Sequence, residues 1–144
     1  KIHFMPQGLA WGTVHGNVVI EGQLDGHQVD SLELNIPGMV KGPAASFPSM
    51  LYLGVALPGQ AVDQTITLRF DQKSMQIADI KAPDNIGVTV EPDTVHSNAP
   101  RLHVHWTAGT RYGSMRDEIR LIFDLPQKGE LRLPVFGAVT KPAQ

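Results

Sequence analysis

Apolar residues in this chain recur mainly at every second position, in short runs closed by Gly, Pro, Asn and Asp. That period puts alternate side chains on opposite faces of a strand. Leu102, Val104 and Trp106 alternate with His103, His105 and Thr107. Ile66, Leu68 and Phe70 share one face, with Thr65, Thr67 and Arg69 opposite. Ile119, Leu121, Phe123 and Leu125 mark a further strand, and the turn PQKG at 126–129 leads into Leu131, Leu133 and Val135. Residues 48–59 read as a strand closed by Pro58-Gly59, residues 75–80 as a strand ended by APDN, and Val88 with Val90 as a short strand stopped by Pro92-Asp93. Nearer the start, 18–24 predicts a strand and Asp25-Gly26 a hairpin turn. Leu32, Leu34 and Ile36 predict a half-buried strand that Pro37-Gly38 bends or bulges. Residues 4–16 carry little pattern, and no window holds a 3.6-residue period, so no helix of substance is expected.

One pattern is written twice. LRLPVFGAVT at 131–140 matches LELNIPGMVK at 32–41 with an offset of 99 residues, and each copy runs into a Pro-Ala pair. Seven or so short strands with closely spaced turns form a complete antiparallel sandwich at 46–141. Residues 1–42 are too few for a second one and read as an incomplete N-terminal repeat, its terminal strands only. GPAAS at 42–46 is the expected linker. Trp11 corresponds either to Trp106, with small insertions, or to Leu53 in an alignment of 6–12 on 48–54. Half a sandwich leaves an apolar face and a strand edge uncovered, so other residues, the second module or another chain must complete it.

The chain has 144 residues, 42% hydrophobic and 18% charged, with 14 glycines and 11 prolines, which suits a turn-rich β protein rather than a disordered one. A net charge of −2 without basic runs argues against a nucleic-acid or anionic-membrane surface. The absence of cysteine removes disulfides, thiol catalysis and cysteine–metal sites together. No run approaches a membrane-spanning length. A start at Lys1 without signal peptide reads as a processed or partial chain.

Three motifs carry a resemblance: P-x-x-L-x-L-G-x-x-x-P-G at 48–59, L-x-V-x-W at 102–106 and L-x-L-P-V-x-G-x-V at 131–139, with Gly113 before the penultimate strand. The chain resembles the Ig-like modules of unknown function found in exported bacterial proteins, themselves similar to sperm-protein-like and cilium-associated Ig-like domains. The commonest form of that family has a Cys-containing segment mid-domain, which this chain lacks. The resemblance implies an all-β immunoglobulin-like sandwich without established catalytic residues.

Candidate chemistry is sparse. His103 and His105 project from one strand face about 7 Å apart, a spacing that suits a metal with His96 as third ligand. A solvent-facing strand with two histidines is the preferred reading, because no carboxylate lies near them in sequence. No G-x-S-x-G elbow or glycine loop before a helix points to acyl or phosphoryl chemistry. Trp11, Tyr52, Trp106 and Tyr112 are candidates for a sugar-stacking platform, Tyr112 the best exposed of them and Trp106 rather a core residue. Arg111, Arg116, Asp117 and Glu118 read as solvated loop charges.

The expectation is therefore a structural, non-catalytic module of an exported bacterial surface, envelope or filament protein, extracellular or periplasmic. Its expected partners are other copies of itself or neighbouring Ig-like modules, met by strand and module packing. A glycan- or peptide-binding module and a metal-binding domain using His103 and His105 are the alternatives. No enzyme activity, catalytic residue, metal or cofactor is expected.

Overall fold

The computed structural model describes residues 10–95, 98–125 and 128–143. Residues 1–9, His96, the Pro126-Gln127 half of the PQKG turn and the side chain of Leu125 lie outside the described residues. The expectations placed on them lie outside too.

The described residues form twelve strands: β1 (Ala10–Ile20), β2 (Gln23–Leu24), β3 (His27–Gln28), β4 (Leu32–Val40), β5 (Ala44–Phe47), β6 (Leu51–Ala56), β7 (Ala61–Phe70), β8 (Gln76–Lys81), β9 (Ile86–Glu91), β10 (Arg101–Thr107), β11 (Gly113–Leu125) and β12 (Gly129–Val139). One sheet runs β5-β7-β10-β9, antiparallel throughout. The other runs β4-β1-β12-β11-β8, with β6 also paired to β12. The pair β5-β7-β10-β9 and β6-β12-β11-β8 reproduces the two facing sheets of an immunoglobulin-like sandwich. The chain is an all-β immunoglobulin-like sandwich.

The alternation seen in the sequence decides the core. Leu102, Val104, Trp106, Ile119, Leu121, Phe123, Leu131, Leu133 and Val135 are all fully buried, together with Ile66 and Leu68. Phe123 meets Phe70 edge-on with ring centroids 5.4 Å apart. Trp106 is fully buried, and among the described residues its indole N–H has no partner. An unpaired buried donor costs about 1–3 kcal/mol, which the burial of so large a ring outweighs. Gly137 makes the room: a Cβ there would lie 3.4 Å from the Trp106 ring.

Three local expectations change. Residues 42–46 are not a plain linker, since Ala44 begins β5, an edge strand paired to β7. Three small side chains and an exposed Phe47 offer no apolar alternation to read, yet Ala44 and Ser46 are buried under the sandwich. The chain then crosses to the other sheet at Phe47-Pro48, a cis peptide. Pro37-Gly38 does not bulge β4: its register against β1 runs unbroken from Val40 to Leu32. Proline is tolerated because β4 is an edge strand with one side unpaired. Finally, β4 is not half-buried. Leu32 and Leu34 face solvent, because no second sheet lies over them among the described residues.

Candidate interaction surfaces

The N-terminal hairpin is the least conventional part of the molecule. β1 and β4 pair antiparallel over their whole length, from Gly12 opposite Val40 to Ile20 opposite Leu32. Beyond them β2 and β3 close on a tight turn, where Asp25 and Gly26 both take positive φ, as a two-residue hairpin turn requires. Among the described residues only the base of this arm joins the sandwich. Ala10, Trp11 and Gly12 pair parallel with Glu130, Leu131 and Arg132. Gly12 has φ +86°, and a Cβ there would lie 2.5 Å from the Arg132 carbonyl oxygen, so the ladder passes only with glycine.

Trp11 anchors that base. Its ring is 6% exposed and lies 5.7 Å from the Phe123 ring, centroid to centroid. Gly42 and Gly129 both abut it, and a Cβ on either would overlap the indole. The Thr13 hydroxyl adds a long bond of 3.5 Å to the Ser49 carbonyl.

Residues directly opposite in a ladder share a face. One face of the arm therefore carries Val14, Val18, Ile20, Leu32, Leu34, Ile36 and Val40, with Gly16 and Gly38 between them. The other carries Thr13, His15, Asn17, Val19, Glu33, Asn35, Pro37 and Met39. The first face is almost wholly aliphatic, yet Ile20, Leu32 and Leu34 are 45%, 55% and 36% exposed.

The ladders also align the arm with the hairpin β11–β12. Leu34 lies opposite Val18 as Leu133 lies opposite Ile119, and Val40 opposite Gly12 as Val139 opposite Gly113. Gly12 and Gly113 both have positive φ. On this alignment Trp11 matches Tyr112, which is neither of the two correspondences the sequence suggests. Leu32, Leu34, Ile36, Gly38 and Val40 fall on Leu131, Leu133, Val135, Gly137 and Val139, all buried in the core.

The outer face of the four-stranded sheet holds the histidines. The His103 Nε2–H donates to Glu91 Oε2 at 2.6 Å, and Nδ1 lies 3.2 Å from the Thr65 hydroxyl. His105 Nδ1 lies 2.7 Å from Asp63 Oδ1. The bond from His103 holds the Glu91 carboxyl below its ordinary value. The structure thus brings to each histidine a carboxylate that the sequence keeps 12 or 42 residues away. Strand register was the signal: Asp63 is directly opposite His105, and Glu91 is diagonal to His103. Each pair is a separate, exposed contact, and among the described residues no three His, Asp or Glu side chains converge on a metal position. His96 lies outside the described residues.

Of the four aromatic candidates, Trp11 and Trp106 are buried, whereas Tyr52 and Tyr112 are exposed. Tyr112 lies under the Lys141 ammonium, 5.6 Å from it. Tyr52 is the ladder partner of Phe136, and Phe136 of Arg116, whose guanidinium stands 5.4 Å over the Phe136 ring. Of the charge cluster, Arg116 thus has an aromatic partner and Glu118 lies 4.0 Å from Arg120.

No family model matches the chain, and no curated protein matches it. Several solved structures are similar to it, three of them as follows. The GspB Siglec domain matches at TM-score 0.47 and 11% identity, over 73% of this chain and 63% of that one. The ASH / PapD-like domain of human CEP192 matches at 0.43 and 10%, over 85% of this chain and 99% of that one. Domains 4 and 5 of the S-layer protein SbsC match at 0.35 and 17%, over 89% and 60%. The chain thus spans less than two thirds of the first and third. The fold assignment rests on the strand order and register above.

Proposed function

We propose that the chain is a non-catalytic structural and interaction module of an exported bacterial surface, envelope or filament protein, acting through strand and module packing. The observation that carries this reading is the arm: seven aliphatic residues share one face of a hairpin fixed to the sandwich at its base, where Val14 is buried and Val40 packs on the core, while Ile20, Leu32 and Leu34 at the outer end are exposed. An apolar stretch such as Ile20, Leu32 and Leu34, which nothing among the described residues covers, is a contact surface for other protein. Export and the bacterial setting rest on the motif resemblance. Among the described residues no helix is long and apolar enough to cross a membrane.

The test separates a face kept apolar for folding from one kept apolar for a partner. Ile20→Ser with Leu34→Ser, in the full chain, is expected to leave unfolding stability in urea within about 0.5 kcal/mol, as for open surface positions. A loss of roughly 2 kcal/mol or more, the scale of core truncation, would show the face to be packed in the isolated chain and would end this reading.

A second reading has its own observation. Tyr52, Phe136 and Arg116 form a row across the outer faces of β6, β12 and β11, and aromatic faces beside a cation suit a glycan or an extended peptide. Binding on a glycan array that Tyr52→Ala abolishes would support it, and a blank array with wild-type chain would remove the glycan.

A further inference from the structure

The alignment of the two hairpins goes further than exposing an apolar face, because it specifies what covers that face. In the complete module the inner faces of β11 and β12 are covered by Ile66 and Leu68 of β7 and Leu102, Val104 and Trp106 of β10, all fully buried in one core. Trp106 lies over Gly137. The arm repeats the receiving side. Its aliphatic residues take the same ladder positions, and Gly38 takes that of Gly137. A Cβ on Gly38 would meet only Val14 of the arm itself, at 3.8 Å. Among the described residues, then, the notch that admits an aromatic ring in one hairpin stands open in the other.

We infer that the arm is the closing half of a second immunoglobulin-like sandwich. Its partner is an antiparallel sheet of the β5-β7-β10-β9 kind, bearing alternating Leu and Val side chains and one large aromatic, a tryptophan by the internal match, seated over Gly38. The strands that cover β11 and β12 precede them in chain order, so the covering sheet is delivered from the N-terminal side of β1 in the same polypeptide. This rests on the arm being an interaction face, as proposed above, and names its occupant.

A second copy of the chain fits less well. Its own β5-β7-β10-β9 sheet is already committed to its own core. Two arms packed face to face have Ile20, Leu32 and Leu34 as their main solvent-exposed apolar groups on that face. They would bury on the order of 500 Å² in all, against roughly 1,200 Å² for a stable specific interface.

The experiment extends the full chain upstream with a second copy of its own residues 43–107, leaving 1–9 as the connection to β1. Hydrogen exchange is read at amides 14–20 and 32–40, and mass by light scattering. The expected result is a monomer in which those amides exchange at least about 100-fold more slowly than in the unextended chain. Gly38→Leu, which fills the notch, should abolish that protection in the extended chain and leave the unextended chain unchanged. Arm amides that exchange equally fast in both chains, or protection that survives Gly38→Leu, would overturn the inference. So would a dimer of the unextended chain with a protected arm: the arm would remain an interaction face, but its occupant would be a second copy. The Ile20 and Leu34 substitutions test the interaction face itself, so failure of the two ideas is read separately.

Discussion

Trp11 and Gly129 should be energetically inseparable, and a double-mutant cycle tests that. The ring lies in a slot with Gly42 and Gly129 both against it. A tryptophan buries about 150–250 Å², which at about 25 cal/mol per Å² is worth about 4–6 kcal/mol. Trp→Ala in a core typically costs about 3–5 kcal/mol. At 6% exposure Trp11 belongs near the middle of that range, about 4 kcal/mol. Gly129→Ala has no backbone strain to add, since Gly129 is not among the positive-φ glycines. Its cost comes from forcing the ring away, and overpacking of this kind costs about 1–3 kcal/mol. Once Trp11 is alanine, the added methyl meets empty space, so the double variant should be no less stable than Trp11→Ala alone. Urea denaturation of the four proteins should therefore give a coupling of about 2 kcal/mol. If the two losses add within about 0.5 kcal/mol, the ring does not occupy this slot, and the anchoring of the arm described above is wrong.

Other outcomes follow from single sites. Trp106→Ala should destabilise by about 3–5 kcal/mol, softened by removal of an unpaired indole N–H. Gly137→Leu should cost at least about 1–3 kcal/mol by driving into the Trp106 ring, while Gly38→Leu leaves the melting temperature of the isolated chain unchanged; equal effects would mean the two hairpins are not alike. The Glu91 carboxyl is lowered from its ordinary 4.5 by the bond from His103. The stability it contributes is complete above that value and is lost as the pH falls through the lowered folded value. Glu91→Gln should flatten this acid limb of a denaturation profile, and an unchanged limb would show the His103–Glu91 pair to be energetically silent.

Much of this fold is legible because a sandwich core demands a strict period of two. Leu102, Val104 and Trp106 show it, and all three are buried. Asp25-Gly26 is equally plain, since few residue pairs adopt positive φ together. Legibility fails where that demand is absent. β5 is short and buries only the small side chains of Ala44 and Ser46, so no apolar alternation distinguishes Ala44–Phe47 from a linker. β1 begins at Ala10, but the positive φ of Gly12 interrupts its alternation. The partners of His103 and His105 are invisible because Glu91 and Asp63 reach them only through cross-strand register. The exposure of Leu32 and Leu34 is hidden for the opposite reason: their alternation is the one a strand beneath a second sheet would show, and alternation alone does not say whether such a sheet is present.

β1 and β6 lie along the same edge of β12, β1 beside Glu130–Arg132 and β6 beside Val135–Val139, both parallel to it. Pull the polypeptide from its two ends and that arrangement becomes mechanical. The leading end of β1 is drawn one way and the trailing end of β12 the other, so strands running in the same direction slide past each other and their cross-links strain together. An antiparallel hairpin pulled open at its ends would instead release one link at a time. Tension entering at Ala10 thus meets the parallel ladder and the Trp11 plug, and behind them the second parallel ladder of β6. Under force the rate of unfolding, not the equilibrium stability, governs survival, and here both parallel ladders resist in series, as two catches on one strap.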